Sequence, residues 1–380
     1  MKKVKNQIIY LLLAVLMFWS CNSKKENDQP NDQGEWNFGQ DVYVAGFENN
    51  AQKNSVARLW KNGKLQHLEN GQDNILNSSG EYGELYESKA YSVFVSDNDV
   101  YVTGYEMFRK NIELPNGTRW KYTTRARLWK NGIMQNLSNE GLDDMAFSVF
   151  VSDGDVYVLG YEEEMELSKI YLKLWKNGVS TIFAEGGYNL RAYSLFVFDG
   201  DTYVAGMNNV FDPYNGSKDQ AKLWKNGIEE ELEIGTVGSY GYSVYVSEGD
   251  VYVGGTNNGK AALWKNGRLE TIANGRDFSE VRCVYISGDD IYLAGHIDQS
   301  GRLWKNSIEQ NLGDAKNANL FYSVFTISED VYLAGYEKIQ NGSNPDFRVR
   351  SKAYLYRNGK KLNLDLGHDF DSEAYSIFVK

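Results

Sequence analysis

One pattern of three segments recurs seven times from Asp41 to the end of the chain. The clearest copy runs Ser148-Val149-Phe150-Val151, then Asp155-Val156-Tyr157-Val158, then Leu174-Trp175-Lys176-Asn177-Gly178. The second segment begins at Asp41, Asp99, Asp155, Asp201, Asp250, Asp290 and Asp330. The third is centred on Trp60, Trp129, Trp175, Trp224, Trp264 and Trp304, with Tyr356 in the last copy. The first recurs at Ser92, Ser148, Ser194, Ser243, Cys283, Ser323 and Ser376. A unit of about 49 residues is one supersecondary element that cannot bury its own apolar faces, so it must stack on its neighbours.

Each segment is a short run of Val, Tyr, Phe, Trp and Ile between turn residues, the pattern of a strand. Asn-Gly follows the Trp segment at Asn62, Asn131, Asn177, Asn226, Asn266 and Asn358, and Asn306-Ser307 takes that place once. Both residues of Asn-Gly tolerate positive φ, which a type I′ hairpin demands, so a fourth, more polar strand must follow. Four antiparallel strands, a to d, therefore make one copy. Apolar character falls from a (Val149-Phe150-Val151) to d (Ile228-Glu229-Glu230-Glu231-Leu232), which places a at an axis and d at a rim where charge discourages edge pairing. The expected fold is all-β: a seven-bladed β-propeller over 41–380. An open solenoid is the alternative.

The chain ends argue for closure. The first copy begins with strand b at Asp41, and Tyr375-Ser376-Ile377-Phe378-Val379 is a strand a with nothing after it. One blade built from both ends removes two open edges. Trp36-Asn37-Phe38 competes for that slot but matches the repeat less well. The order of inner strand, tight turn, Asp-Val-Tyr-Val-Ala-Gly, loop and apolar strand resembles the repeat of propellers of the NHL or Kelch sort. No copy combines the Gly-His and Trp-Asp pairs of WD repeats, and the Ser-x-Asp-x-Gly-x-Thr-Trp boxes of sialidase-like propellers are missing.

Residues 1–20 have the form of an export signal, with Lys2, Lys3 and Lys5 ahead of an apolar run, Ile8–Trp19, too short to span a bilayer. The run ends at Ser20-Cys21, which resembles a bacterial lipoprotein signal; that resemblance implies lipidation of Cys21. Residues 21–40 are polar and are expected to form a flexible tether. Asn22 at the second mature position implies an outer-membrane lipoprotein, periplasmic or surface-facing. The membrane is expected to be met through Cys21 only. Cys283 has no partner if Cys21 is acylated, so no disulfide framework is expected. The net charge is −11, and the signal contributes three lysines and no acid. Such a chain should repel nucleic acid, and a monomer is expected.

Because strands alternate in direction, the a–b and c–d turns share one face and the b–c and d–a connections share the other. The longest connections are all on that second face: Tyr105–Arg127, Met207–Lys222, Tyr336–Tyr354 and Glu69–Ala90. Recognition is expected there. Its aromatic residues Tyr82, Tyr86, Phe108, Trp120, Tyr122, Phe211, Tyr214 and Phe347 are candidates to stack on a glycan or pack on an envelope protein. The bland alternative is that the loops bury them in small cores of their own. The six repeat tryptophans belong to inter-blade packing.

Glu48, Glu106, Glu162 and Glu337 follow strand b and form a weak candidate set for Ca²⁺. Arg58, Arg127 and Lys173, just ahead of strand c's Leu-Trp, explain three of them better as ion pairs. The strand-b aspartates are expected to accept backbone hydrogens in the a–b turn. No histidine cluster, phosphate loop or nucleophile motif is present, so no cofactor and no catalytic residue is expected. The function expected is binding through the long-connection face. A lyase or hydrolase in the same central pocket, Ca²⁺-dependent in one form, is the alternative.

Overall fold

Each copy folds into one blade because its tight turns are chemically tied together. In the second blade the Asn131 side chain accepts the amide of Val100 at 2.8 Å and donates to Asp99 at 2.7 Å. Lys130 pairs with the other Asp99 oxygen at 2.7 Å and lies over the Tyr101 ring. The same Asp–Lys–Asn lock recurs at Asp41, Asp155, Asp201, Asp250 and Asp290, and Arg357 takes the lysine's place beside Asp330. The aspartates thus take the side chains of the adjacent c–d turn, not the backbone hydrogens of their own a–b turn. Both turns emerge on one face, and a lysine and an amide reach further than a turn N–H. The lysine's hydrogen bond holds the Asp99 carboxyl below its usual value.

The computed structural model describes residues 39–71, 84–114, 117–137, 143–164, 168–187, 189–212, 216–235, 238–273, 275, 277–340, 349–364 and 370–380. Seven four-stranded antiparallel sheets make the seven blades of a β-propeller. Blade one joins the two ends of the ring: Ser372–Val379 is its inner strand, beside Val42–Asn49, Ser55–Lys61 and Lys64–Gln66. The register pairs Val42 with Val379 and Tyr43 with Phe378, and Asp41 and Lys380 exchange backbone hydrogen bonds at 2.9 Å. The C-terminal strand therefore fills the slot expected of it. The competing Trp36-Asn37-Phe38, the signal, Cys21 and all of the tether except Gly39 and Gln40 lie outside the described residues.

The cores lie between blades. Ala57 and Leu59 of blade one pack with Val93, Val102 and Trp129 of blade two. All six repeat tryptophans are at most 4% exposed, and Tyr356 is fully buried. Each such ring buries roughly 200 Å², worth roughly 5 kcal/mol as an upper bound. Trp129, Trp175 and Trp264 each donate to a carbonyl of the preceding blade, at Glu69, Leu137 and Glu233. Around the axis, the serine of each inner strand accepts an amide of the next, as Ser92 does from Val149 and Ser376 from Val93. Cys283 interrupts that circuit; its thiol donates instead to the Val324 carbonyl at 3.8 Å. Burial pushes this thiol's pKa up.

Three connections expected as loops are ladders instead. Strands b and c of blade two run on as Asp99–Leu114 and Gly117–Lys130, a paired arm. Blade four does the same with Asp201–Asp212 and Gly216–Lys225, and blade seven with Asp330–Gln340 and Val349–Arg357. Continuing the ladder satisfies backbone groups that a long loop would leave to water.

Candidate functional site

One glycine in strand b shapes the axis. Gly46, Gly104, Gly160, Gly206, Gly255, Gly295 and Gly335 occupy equivalent places, and a Cβ on any of them would lie 1.8–2.1 Å from a carbonyl oxygen of strand a. The crowding arises because strand a shifts register there in every blade, for example between Ala90 and Ser92 and between Val281 and Cys283. The extra residue of each bulge is Tyr91, Phe147, Tyr193, Tyr242, Arg282, Tyr322 or Tyr375. A bulge re-aims a side chain, and here it adds a second layer of rings to the axis.

The first layer is Phe94, Phe150, Phe196, Tyr245, Tyr285, Phe325 and Phe378. Their centroids are 4.6–5.4 Å apart in a circuit that closes from Phe378 back to Phe94. The bulge layer lies three residues nearer the start of strand a, hence about 10 Å nearer the long-connection face. Tyr91 contacts Phe147 at 5.5 Å and Tyr375 at 5.4 Å, Tyr375 contacts Tyr322 at 4.9 Å, and Tyr193 contacts Tyr242 at 5.3 Å. Arg282 breaks the aromatic series, with its guanidinium 4.0 Å from the Tyr242 centroid. Together these form an aromatic mouth on the axis.

Two carboxylates sit beside this mouth, Glu280 buried and Glu373 half-buried. Glu280 is 3% exposed; Arg282 ion-pairs with it, His296 Nε2 lies 3.4 Å away and the Tyr242 hydroxyl donates at 3.0 Å. Burial opposes its ionisation, but the adjacent His296, the Arg282 charge and the Tyr242 hydroxyl outweigh it, so its pKa lies below the usual value. Glu373 accepts from the Tyr322 hydroxyl at 2.9 Å. There burial wins over the tyrosine hydrogen bonds and the Lys89 charge, and the pKa is raised. Burial likewise raises Tyr91, Tyr322 and Tyr375 and keeps them neutral donors. His296 Nδ1 is buried with no hydrogen-bond partner among the described residues. Stacking faces, carboxylate acceptors and a guanidinium donor converge here from all seven blades.

The residues expected from sequence stand elsewhere. Phe108 is 6% exposed and packs against Arg127, as a small core of the arm. Tyr86 meets Tyr122 edge-on at 5.3 Å, and the Arg109 guanidinium lies over both Tyr86 and Trp120. Trp120 and Tyr122 are exposed on the blade-two arm and Phe211 is exposed on blade four. Tyr82, Tyr214 and Phe347 lie outside the described residues. Glu48, Glu106 and Glu162 are bound to Arg58, Arg127 and Lys173 at 3.1, 2.7 and 2.9 Å, and Glu337 takes Lys361 at 2.6 Å and the Tyr356 hydroxyl. They are spread over separate blades, and no group of three metal-ligating side chains forms among the described residues. The three-segment repeat pattern does not include the mouth residues. The residue before each inner-strand Ser or Cys, aromatic in six copies and Arg282 in the other, was the available signal.

The fold and the mouth define the class: a seven-bladed β-propeller with an aromatic axial mouth. No family model matches the chain, and no curated protein matches it. Solved structures that it resembles include a Trypanosoma rangeli sialidase in complex with sialic acid, 11% identical over 63% of this chain, TM-score 0.34; the chain spans 46% of that protein's length. They also include YjhT, 12% identical, covering 76% of this chain and 96% of that one, TM-score 0.36. A GH43 endo-arabinanase from Bacillus licheniformis is 10% identical over 76% and 96% of the two chains, TM-score 0.30. Likenesses at this level say nothing of this chain's chemistry.

Proposed function

We propose that the chain is a lipid-anchored envelope propeller, of the NHL or Kelch sort by its repeat, that binds a glycan at its axial mouth. The observation that carries this reading is the bulge layer: six aromatic rings and Arg282 around the axis, with Glu280 buried and Glu373 half-buried beside them. A sugar ring presents an apolar C–H face and a rim of hydroxyls. Tyrosine faces match the first, and carboxylates and a guanidinium match the second. A folded protein partner fits a ring-lined axis less well.

A glycan array followed by calorimetry tests the reading. Arg282→Ala and Tyr322→Phe should weaken binding of the array hit by about 1–3 kcal/mol with the fold retained. Lys176→Ala and Lys265→Ala on the tight-turn face should leave affinity unchanged. Binding lost only on the tight-turn changes would mean the wrong face has been assigned. The opposite shifts of Glu280 and Glu373 support a second reading, a hydrolase or lyase at the same mouth, because acid–base pairs need environments that push two carboxyls apart. Turnover of the bound glycan that Glu373→Gln abolishes would establish it. Lipidation of Cys21 has its own readout: mass spectrometry of the native N-terminus should find an acylated cysteine as the first residue, and an unmodified mature Cys21 would remove the anchor.

A further inference from the structure

We infer that the mouth selects a sugar that bears a free amine, held as an ammonium ion against Glu373 and the rings of Tyr91, Tyr322 and Tyr375. This rests on the glycan reading and names the class of sugar. The three rings come from the inner strands of blades two, seven and one, and Glu373 lies two residues before Tyr375 on the same strand. Tyr375 meets Tyr91 at 5.4 Å with the planes 38° apart, and Tyr322 at 4.9 Å with the planes 76° apart. No ring of the three lies flat on the next. The Tyr322 hydroxyl donates to Glu373 at 2.9 Å, and Tyr375 also hydrogen-bonds to it. A carboxyl group and three aromatic rings thus meet at one place, the combination that holds organic ammonium ions.

The charge balance points the same way. Arg282 is neutralised by Glu280. Glu373 takes tyrosine hydroxyls and has no ion-pair partner among the described residues. Lys89 contributes its charge from a distance, with its Nζ over the Phe47 ring at 4.5 Å. Burial therefore prevails and raises the Glu373 pKa. An ammonium ion against this carboxyl would supply the counter-charge that the fold leaves out. A net charge of −11 draws cationic ligands toward the molecule. A partner's lysine carries the same ion but no sugar face for Phe147, Tyr193 and Tyr242 to cover.

The test uses the whole protein with three probes: N-acetylated chitotetraose, its fully de-N-acetylated counterpart and tetralysine. The amine-bearing sugar should bind about tenfold more tightly than the N-acetylated one, and more tightly than tetralysine. Glu373→Gln keeps an acceptor for Tyr322 and should remove the preference for the amine. Tyr91→Leu keeps the carboxyl and should also weaken binding of the amine-bearing sugar. An unchanged melting curve confirms the fold of each variant. Arg282→Ala should retain the preference. Equal binding of the two sugars would overturn the inference and leave the glycan reading standing. A preference that survives Glu373→Gln, tighter binding of tetralysine, or no binding of any probe would each overturn it as well, while the array hit reports on the glycan reading separately.

Discussion

Deletion of Ala374–Lys380 should unfold the whole ring and not merely fray one end. The deletion takes the inner strand from blade one and leaves Val42–Asn49 with an open edge. It removes the buried Ile377, Val379 and Ala374, and Phe378 from the closed aromatic circuit. It also breaks the hydrogen-bond circuit on both sides, at Ser323 through the Ile377 amide and at Val93 through the Ser376 hydroxyl. At about 1.5–3 kcal/mol for each buried apolar side chain, the loss is about 5 kcal/mol or more, comparable with the whole stability of many domains. Thermal unfolding by circular dichroism should show no cooperative transition near the wild-type midpoint. An unchanged midpoint would mean that the blades stand as an open array.

Gly295→Ala should cost about 3 kcal/mol or more and abolish ligand binding at the mouth. The new Cβ would lie 2.0 Å from the Glu280 carbonyl oxygen and 3.1 Å from the Val281 Cα. Both neighbours are backbone, so no side chain can swing away, and relief requires moving the bulge that aims Arg282 at the axis. Gly187→Ala is the control: its Cβ meets nothing within 4 Å, so stability should change by about 0.5 kcal/mol or less. Calorimetric melting of both variants decides the matter. Equal midpoints would mean that the bulge is not held by the glycine.

Much of this fold was legible in the residues. The Asn-Gly turns marked the c–d hairpins, the Trp spacing marked the inter-blade contacts, and the orphan strand Tyr375–Val379 marked the closure. The arms of blades two, four and seven were not legible, because Arg109–Arg125 mixes polar and apolar residues in a way that suits a loop or an exposed ladder equally. The candidate site was less legible still. Long connections drew attention to Trp120, Tyr122 and Phe211, whereas Tyr322, Tyr375, Glu373, Glu280 and Arg282 sit inside or just ahead of the inner strands and look like ordinary strand residues.

The residues alone set the number of blades, the order of their strands, the strand that closes the ring and the face that bears the long connections. All of these follow from turn chemistry and apolar pattern within one copy, or between a copy and its neighbour. That the residue before each inner-strand Ser or Cys turns toward the axis emerges only from the folded ring. It alone brought Glu280 and Arg282 of one blade to the same mouth as Tyr322 and Glu373 of the two that follow. A repeat encodes nearest-neighbour packing, but an axis exists only once all seven copies are in place, and the bulge opposite each strand-b glycine sets which side chains meet there.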